Sequence, residues 1–158
     1  MPTIEQTIQK VRNFAKLPVG WHYGEGGPIN TSFIERMEKF LSIASGWGIE
    51  EANAFPGVDG QIELTFYLGN KTFAFMFETD NSVSITEEIK GNIISDVYEQ
   101  PYGVAEEKLW ELSQKTQIIY DSSTLDIGTP ERIDLGVQRF NARQGIKTRS
   151  VASQSSRR

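Results

Sequence analysis

Residues 61–85 read QIELTFYLGNKTFAFMFETDNSVSI, and this stretch decides the fold. Ile62, Leu64 and Phe66 alternate with Gln61, Glu63 and Thr65, and Gly69-Asn70 then separates two extended runs, the pattern of a two-residue hairpin. Pairing Leu68 with Lys71 sets Phe66 against Phe73, Leu64 against Phe75 and Ile62 against Phe77, so the large apolar side chains share one face. The other face carries Glu63, Thr65 and Tyr67 against Met76, Ala74 and Thr72 and is mixed in character. A third strand follows through Val83 and Ile85. A loop of Asp80 and Asn81 alone would place Phe77 opposite Ser84, whereas a loop over 79–81 sets Phe77 against Val83 and Phe75 against Ile85. The longer loop is expected, because a one-residue slip moves a whole apolar set to the wrong face.

Around this meander the chain has single-domain size, with 158 residues, enough for one core. It has 38% hydrophobic and 23% charged residues, as globular proteins do. No apolar run has the length of a membrane span and no basic region precedes an apolar block near residue 1, so a cytoplasmic protein without membrane contact is expected. The absence of cysteine removes disulfides, thiolate metal sites and thiol nucleophiles. Charge is divided unevenly. All 21 Asp and Glu and 10 of the 16 Lys and Arg lie at or before Asp134, a net −11, while Arg139, Arg143, Lys147, Arg149, Arg157 and Arg158 face no acid, a net +6.

Ile4, Ile8, Val11 and Phe14 or Ala15 define one face of a first helix, which stops before Leu17-Pro18 because a residue preceding proline is pushed out of helical angles. A glycine-rich loop carrying Trp21, His22 and Tyr23 leads to a second helix. Its cap is either Asn30 or Ser32, the latter in capping-box spacing with Glu35. Phe33, Ile34, Met37, Phe40, Leu41 and Ala44 form its apolar face, and Gly46 or Gly48 ends it. Residues 52–55 are either a lead-in strand or a turn, and Ile93, Ile94, Val97 and Tyr98 belong either to a fourth strand or to a helical turn. A third helix is expected over 103–115, through Val104, Leu109, Trp110 and Leu112. From Asp121 the periodicity dissolves, apart from a short anchor of Ile133, Leu135, Val137 and Phe140, and the end is rich in Ser, Arg and Gln. The expected organisation is an α+β domain over 1–120 and an extended or disordered basic arm over 121–158. The domain has two N-terminal helices on an antiparallel meander of three to four strands, followed by a third helix.

Residue types with chemical potential are few. His22 is the single histidine; as a general base it needs an orienting carboxylate, for which Glu25 is nearest, and a nucleophile that the sequence does not identify. Gly24, Gly26 and Gly27 precede a helix, as phosphate-cradling loops do, but no strand feeds them, no Lys-Ser/Thr pair follows and Glu25 repels phosphate. Their expected role is to supply positive φ angles that let Trp21 and Tyr23 fold back onto the sheet. Glu50-Glu51, Glu87-Glu88 and Glu106-Glu107 are adjacent pairs whose members point to different faces, so they read as solvated surface. No metal or cofactor is expected. The basic arm, with Arg139, Phe140, Arg143, Lys147 and Arg149, is the leading feature. It suits an acidic partner protein, nucleic-acid phosphates with Phe140 stacking, or no specific target.

The run Leu17-Pro18-Val19-Gly20-Trp21-His22-Tyr23-Gly24-Glu25-Gly26, with Pro28, Asn30 and Ile34-Glu35-Arg36 after it, resembles a group of small, functionally uncharacterised bacterial proteins. These share a Gly-Trp-x-x-Gly-Glu-Gly-like loop and a later segment of the kind seen here as Val58-Asp59-Gly60-Gln61-Ile62-Glu63-Leu64. The resemblance covers about residues 14–88 and implies a small α+β domain of bacterial origin; it supplies no catalytic residues. By analogy, such accessory proteins belong to toxin–antitoxin or phage-defence loci. The expected function is therefore non-enzymatic: an antitoxin, immunity-like inhibitor or accessory subunit. It would bind a toxin or complex subunit through Trp21, Tyr23, the sheet edge and the basic arm, with an RNA- or DNA-binding subunit of a ribonucleoprotein as the alternative.

Overall fold

In the computed structural model, which describes residues 1–124, the hairpin closes in the expected register. Strands β2 (Ile62–Leu68) and β3 (Lys71–Phe77) pair Phe66 with Phe73, Leu64 with Phe75 and Ile62 with Phe77. Gly69 takes the left-handed φ (+64°) that the first position of a tight hairpin turn demands. Strand β4 (Ser82–Ile89) follows with Phe77 opposite Val83 and Phe75 opposite Ile85, so the loop is the longer one. Asn81 (φ +70°) supplies the left-handed residue that closes a three-residue hairpin loop.

Two further strands correct the expectation of three to four. Residues Ala52–Pro56 form β1 beside β2, and Asn92–Pro101 form β5 beside β4, giving a five-stranded antiparallel sheet in the order β1-β2-β3-β4-β5. The β4–β5 turn is Lys90-Gly91, both at positive φ (+50° and +79°) as a type I′ turn requires. Register slips between Val83 and Ile85 and between Glu87 and Glu88 mark bulges along β5.

Helix α1 (Ile4–Asn13) opens with a capping box that the sequence reading overlooked: Gln6 N–H donates to Thr3 Oγ1 (3.3 Å) and Thr3 N–H to Gln6 Oε1 (3.0 Å). It passes into a 3₁₀ turn over Phe14–Lys16 and stops before Pro18. Helix α2 (Thr31–Gly46) is capped by Asn30, whose Oδ1 accepts from Ser32 N–H at 2.9 Å. Ser32 lies inside the first turn and is not the cap. At the far end Gly48 (φ +85°) donates to Ser45 O, and Ile49 N–H donates to Ala44 O, the paired bonds of a Schellman stop. Helix α3 spans Tyr102–Thr124, running past the expected end at Lys115.

Every strand residue in the core comes from one face of the sheet: Ala52, Ala54, Ile62, Leu64, Phe66, Phe73, Phe75, Phe77, Val83 and Ile85. The helices supply the rest, including all six apolar positions expected of α2. Phe40 is wholly buried and meets four rings, with centroids 5.0 Å from Phe77, 5.7 Å from Phe75, 6.1 Å from Phe66 and 6.2 Å from Tyr102. Trp47 and Trp110 join α2 to α3 edge-on at 5.2 Å. On the mixed face Glu63, Tyr67, Thr72, Ala74 and Met76 are half-buried and Thr65 is buried, and none of them joins the hydrophobic core. Among the described residues no helix is long and apolar enough to cross a membrane.

Truncating Phe40 removes the ring that all these contacts share. Phe40→Ala is expected to destabilise the protein by about 3–5 kcal/mol in urea unfolding. Val19→Ala, at a site 88% exposed, is expected to change stability by less than about 0.5 kcal/mol. Equal effects from the two substitutions would contradict this packing.

Candidate functional site

The aromatic loop is closed at its base by one carbonyl: Phe14 O accepts from Leu17 N–H (3.4 Å) and Ile29 N–H (3.1 Å). Inside it, His22 and Glu25 exchange backbone bonds (3.0 and 2.9 Å) around Tyr23 and Gly24, both at positive φ (+52° and +95°), and Gly20 N–H reaches Gly26 O at 2.8 Å. The loop is thus a miniature hairpin with a type I′ tip. Gly26 has a steric reason to be glycine, since a Cβ there would stand 2.5 Å from Trp21 Nε1.

Trp21 is accordingly held half-buried against Gly26, its indole N–H buried with no acceptor among the described residues. Tyr23 does not fold back onto the sheet as expected: it sits at the tip, 97% exposed, because a residue at the centre of the turn points away from the strands it joins. The three rings run edge to face, Trp21 to His22 at 5.4 Å and His22 to Tyr23 at 4.9 Å. His22 and Glu25 meet only through their backbones, both side chains facing solvent, so the carboxylate does not orient the imidazole. The α2 start offers no phosphate cradle. Ser32, Phe33 and Ile34 N–H groups are all taken by Asn30. Among the described residues no three His, Cys, Asp or Glu side chains converge to hold a metal.

The two sheet edges are treated differently. Alternation along β1 turns the N–H groups of Ala52 and Ala54 away from β2. Ala52 N–H is taken by Pro2 O (3.1 Å), Ala54 N–H by the Asn53 side chain (2.9 Å), and Pro56 has no N–H to offer. Ala52 O accepts from the Thr7 hydroxyl at 2.5 Å, and Lys10 lies over the Phe55 ring at 4.6 Å. This edge is sealed. On β5, Asn92 flanks the two-residue turn and pairs inward with Ile89, so alternation turns the N–H groups of Ile93 and Asp96 outward, where nothing described accepts them.

Side chains along β5 match that openness. Across the paired row Ala54, Leu64, Phe75, Ile85 and Val97, relative exposure is 0, 0, 0, 3 and 42%, so the helical cover ends beyond β4. Ile93, Ile94 and Tyr98 are 60, 52 and 65% exposed on the same strand. Four large apolar side chains on one uncovered edge form the outstanding surface feature of the described chain. Sequence reading saw these residues without knowing that they lie on an edge.

Two polar groups are drawn into the core margin. Glu87, expected as solvated surface, is 8% exposed because it lies on the Phe73 side of the sheet, where Lys71 Nζ reaches it at 2.9 Å and Lys108 Nζ at 3.8 Å. Tyr102 packs on Phe77 and Phe40, and burial, helped by Glu106 and opposed by Arg36, pushes its phenol up to about 12. Of the expected contact residues, Trp21 and Tyr23 share the loop, whereas Arg139, Phe140, Arg143, Lys147 and Arg149 lie outside the described residues. No family model, curated protein or solved structure matches the chain.

The native fold keeps the Tyr102 proton above pH 10, where an ordinary tyrosine begins to lose it. Its contribution to stability is therefore complete below about pH 10 and is lost as pH rises towards 12. A phenolate absorbance titration is expected to show a last tyrosine ionising near pH 12, with Tyr102→Phe removing that step and flattening the alkaline fall in Tm. A late step that survives the substitution would assign it elsewhere.

Proposed function

We propose that this protein acts by binding another protein, without chemistry of its own, and that the partner takes the open edge of β5. The observation that carries the reading is the contrast between a sealed β1 edge and a β5 edge with outward N–H groups beside exposed Ile93, Ile94, Val97 and Tyr98. An added strand would satisfy those groups and cover the apolar row that stops at Val97. The bulges break the pairing of β5 into short runs, the longest over 95–97, so side-chain burial, at about 25 cal/mol per Å², supplies much of the affinity. Tyr23, 97% exposed at its loop tip, is suited to a second touch point.

The most concrete form is an antitoxin, immunity-like inhibitor or accessory subunit. The cysteine-free composition and the resemblance of residues 14–88 support a bacterial, cytoplasmic setting. In that form Arg139, Phe140, Arg143, Lys147 and Arg149 order on an acidic surface of the partner.

Affinity capture with the full chain, compared with an Ile94→Lys/Val97→Lys double variant and with a chain lacking 136–158, tests this. The double variant is expected to keep its far-UV spectrum and thermal transition while losing proteins that the wild-type chain retains; the deletion is expected to weaken the same complex at least about tenfold. Identical capture by all three chains would overturn the reading. Capture abolished by nuclease and falling steeply with salt would replace it with nucleic-acid binding through the basic arm.

A further inference from the structure

Arg36 is a cation whose placement the fold itself does not explain. It projects from the second turn of α2 with its guanidinium 4.9 Å from the Phe33 ring and 5.2 Å from the Tyr102 ring. Two aromatic neighbours strip water from the group while leaving the donors in its plane unmet. One of them, Nη1–H, goes to Asn81 Oδ1, a neutral acceptor. Nε–H is buried and has no acceptor among the described residues. Among the described residues no carboxylate pairs with it, whereas Arg12 and Lys71 each find one at 2.9 Å. A partly buried charge without a counterion costs stability that an anion seated beside it recovers.

The space beside Arg36 suits such an anion. A groove of about 620 Å³ runs along Asn30, Ser32, Phe33, Arg36, Thr79 and Asn81, and no acidic side chain lines it among the described residues. Thr79 Oγ1 and Asn81 Nδ2 have no partner among the described residues, and with Asn81 Oδ1 turned to Arg36 its amide N–H₂ remains a donor. The volume lies within the ~300–1,000 Å³ range of small-molecule sites. We infer that this groove binds a small organic oxyanion, a carboxylate or a phosphate monoester, with Arg36 as the charge partner and Thr79 and Asn81 as additional donors. The guanidinium fork is oriented before the ligand arrives, because the rings fix its plane and Asn81 its rotation. The inference is independent of the β5 reading, since groove and edge share no residue.

Benzoate and phenyl phosphate carry the two head groups on the same ring, and benzyl alcohol is their neutral counterpart. Titrated into the full-length chain at constant ionic strength, at least one anion is expected to give saturable NMR shifts at Arg36 Nε–H, Thr79 and Asn81, with Kd of about 1 mM or tighter. The anion that saturates first identifies the head group, and benzyl alcohol is expected to give none. Arg36→Gln should weaken binding at least about tenfold. Asn81→Asp, which supplies an internal counterion and keeps the fold, should weaken it similarly without lowering Tm. Absence of saturation with both anions, equal shifts from benzyl alcohol, or wild-type affinity in folded Arg36→Gln or Asn81→Asp would each overturn the site.

Discussion

Phe40 meets the sheet edge-on at Phe77 and Phe75 and at a tilt to Phe66, and those ring contacts fix where the helical layer lies. Aromatic pairs favour such angled arrangements, so a ring caught among three others has little freedom to slide. Helix α2 is thereby set over β2 and β3. Helix α3 begins against the same ring through Tyr102 and is tied to α2 again where Trp110 meets Trp47. The cover is centred on the phenylalanine ladder and runs out before the fifth strand, which is why Val97 shares a row with Leu64 and Phe75 and yet lies in the open.

The same packing sets the two surface features to which function is assigned. On the β1 side, α1 stands close enough for Thr7 and Lys10 to reach the strand, and Pro2 closes its remaining N–H, so that edge cannot recruit another chain. On the β5 side nothing equivalent exists among the described residues. Tyr102, placed by Phe40 and Phe77, also packs against the Arg36 guanidinium. A residue that completes the core thus strips the water from a charge at the core's rim.

Much of this was legible in residues 61–85, because three phenylalanines in strict alternation make any other register bury polar side chains. Strand β1 was ambiguous since its inward residues are only Ala52 and Ala54, which give a weak alternation signal. Strand β5 was ambiguous for another reason: bulges break its alternation and leave Ile93, Ile94, Val97 and Tyr98 at spacings that also fit a helical face. Glu87 is met by Lys71 and Lys108, and Arg36 by Asn81 and Tyr102. Pairings so distant in sequence leave no local pattern. The place of Tyr23 leaves no such mark, because glycines signal that a loop turns tightly, not which side chain ends at its tip.

The asymmetry of the two edges is the central claim, and residue-level amide hydrogen exchange on the free, full-length chain tests it most directly. Ala52 and Ala54 should exchange as slowly as amides in the middle of the sheet, while Ile93 and Asp96 exchange at rates close to those of an unstructured peptide. Protection of Ile93 and Asp96 at core levels in the free chain would show that the β5 edge is already occupied, and would contradict the account.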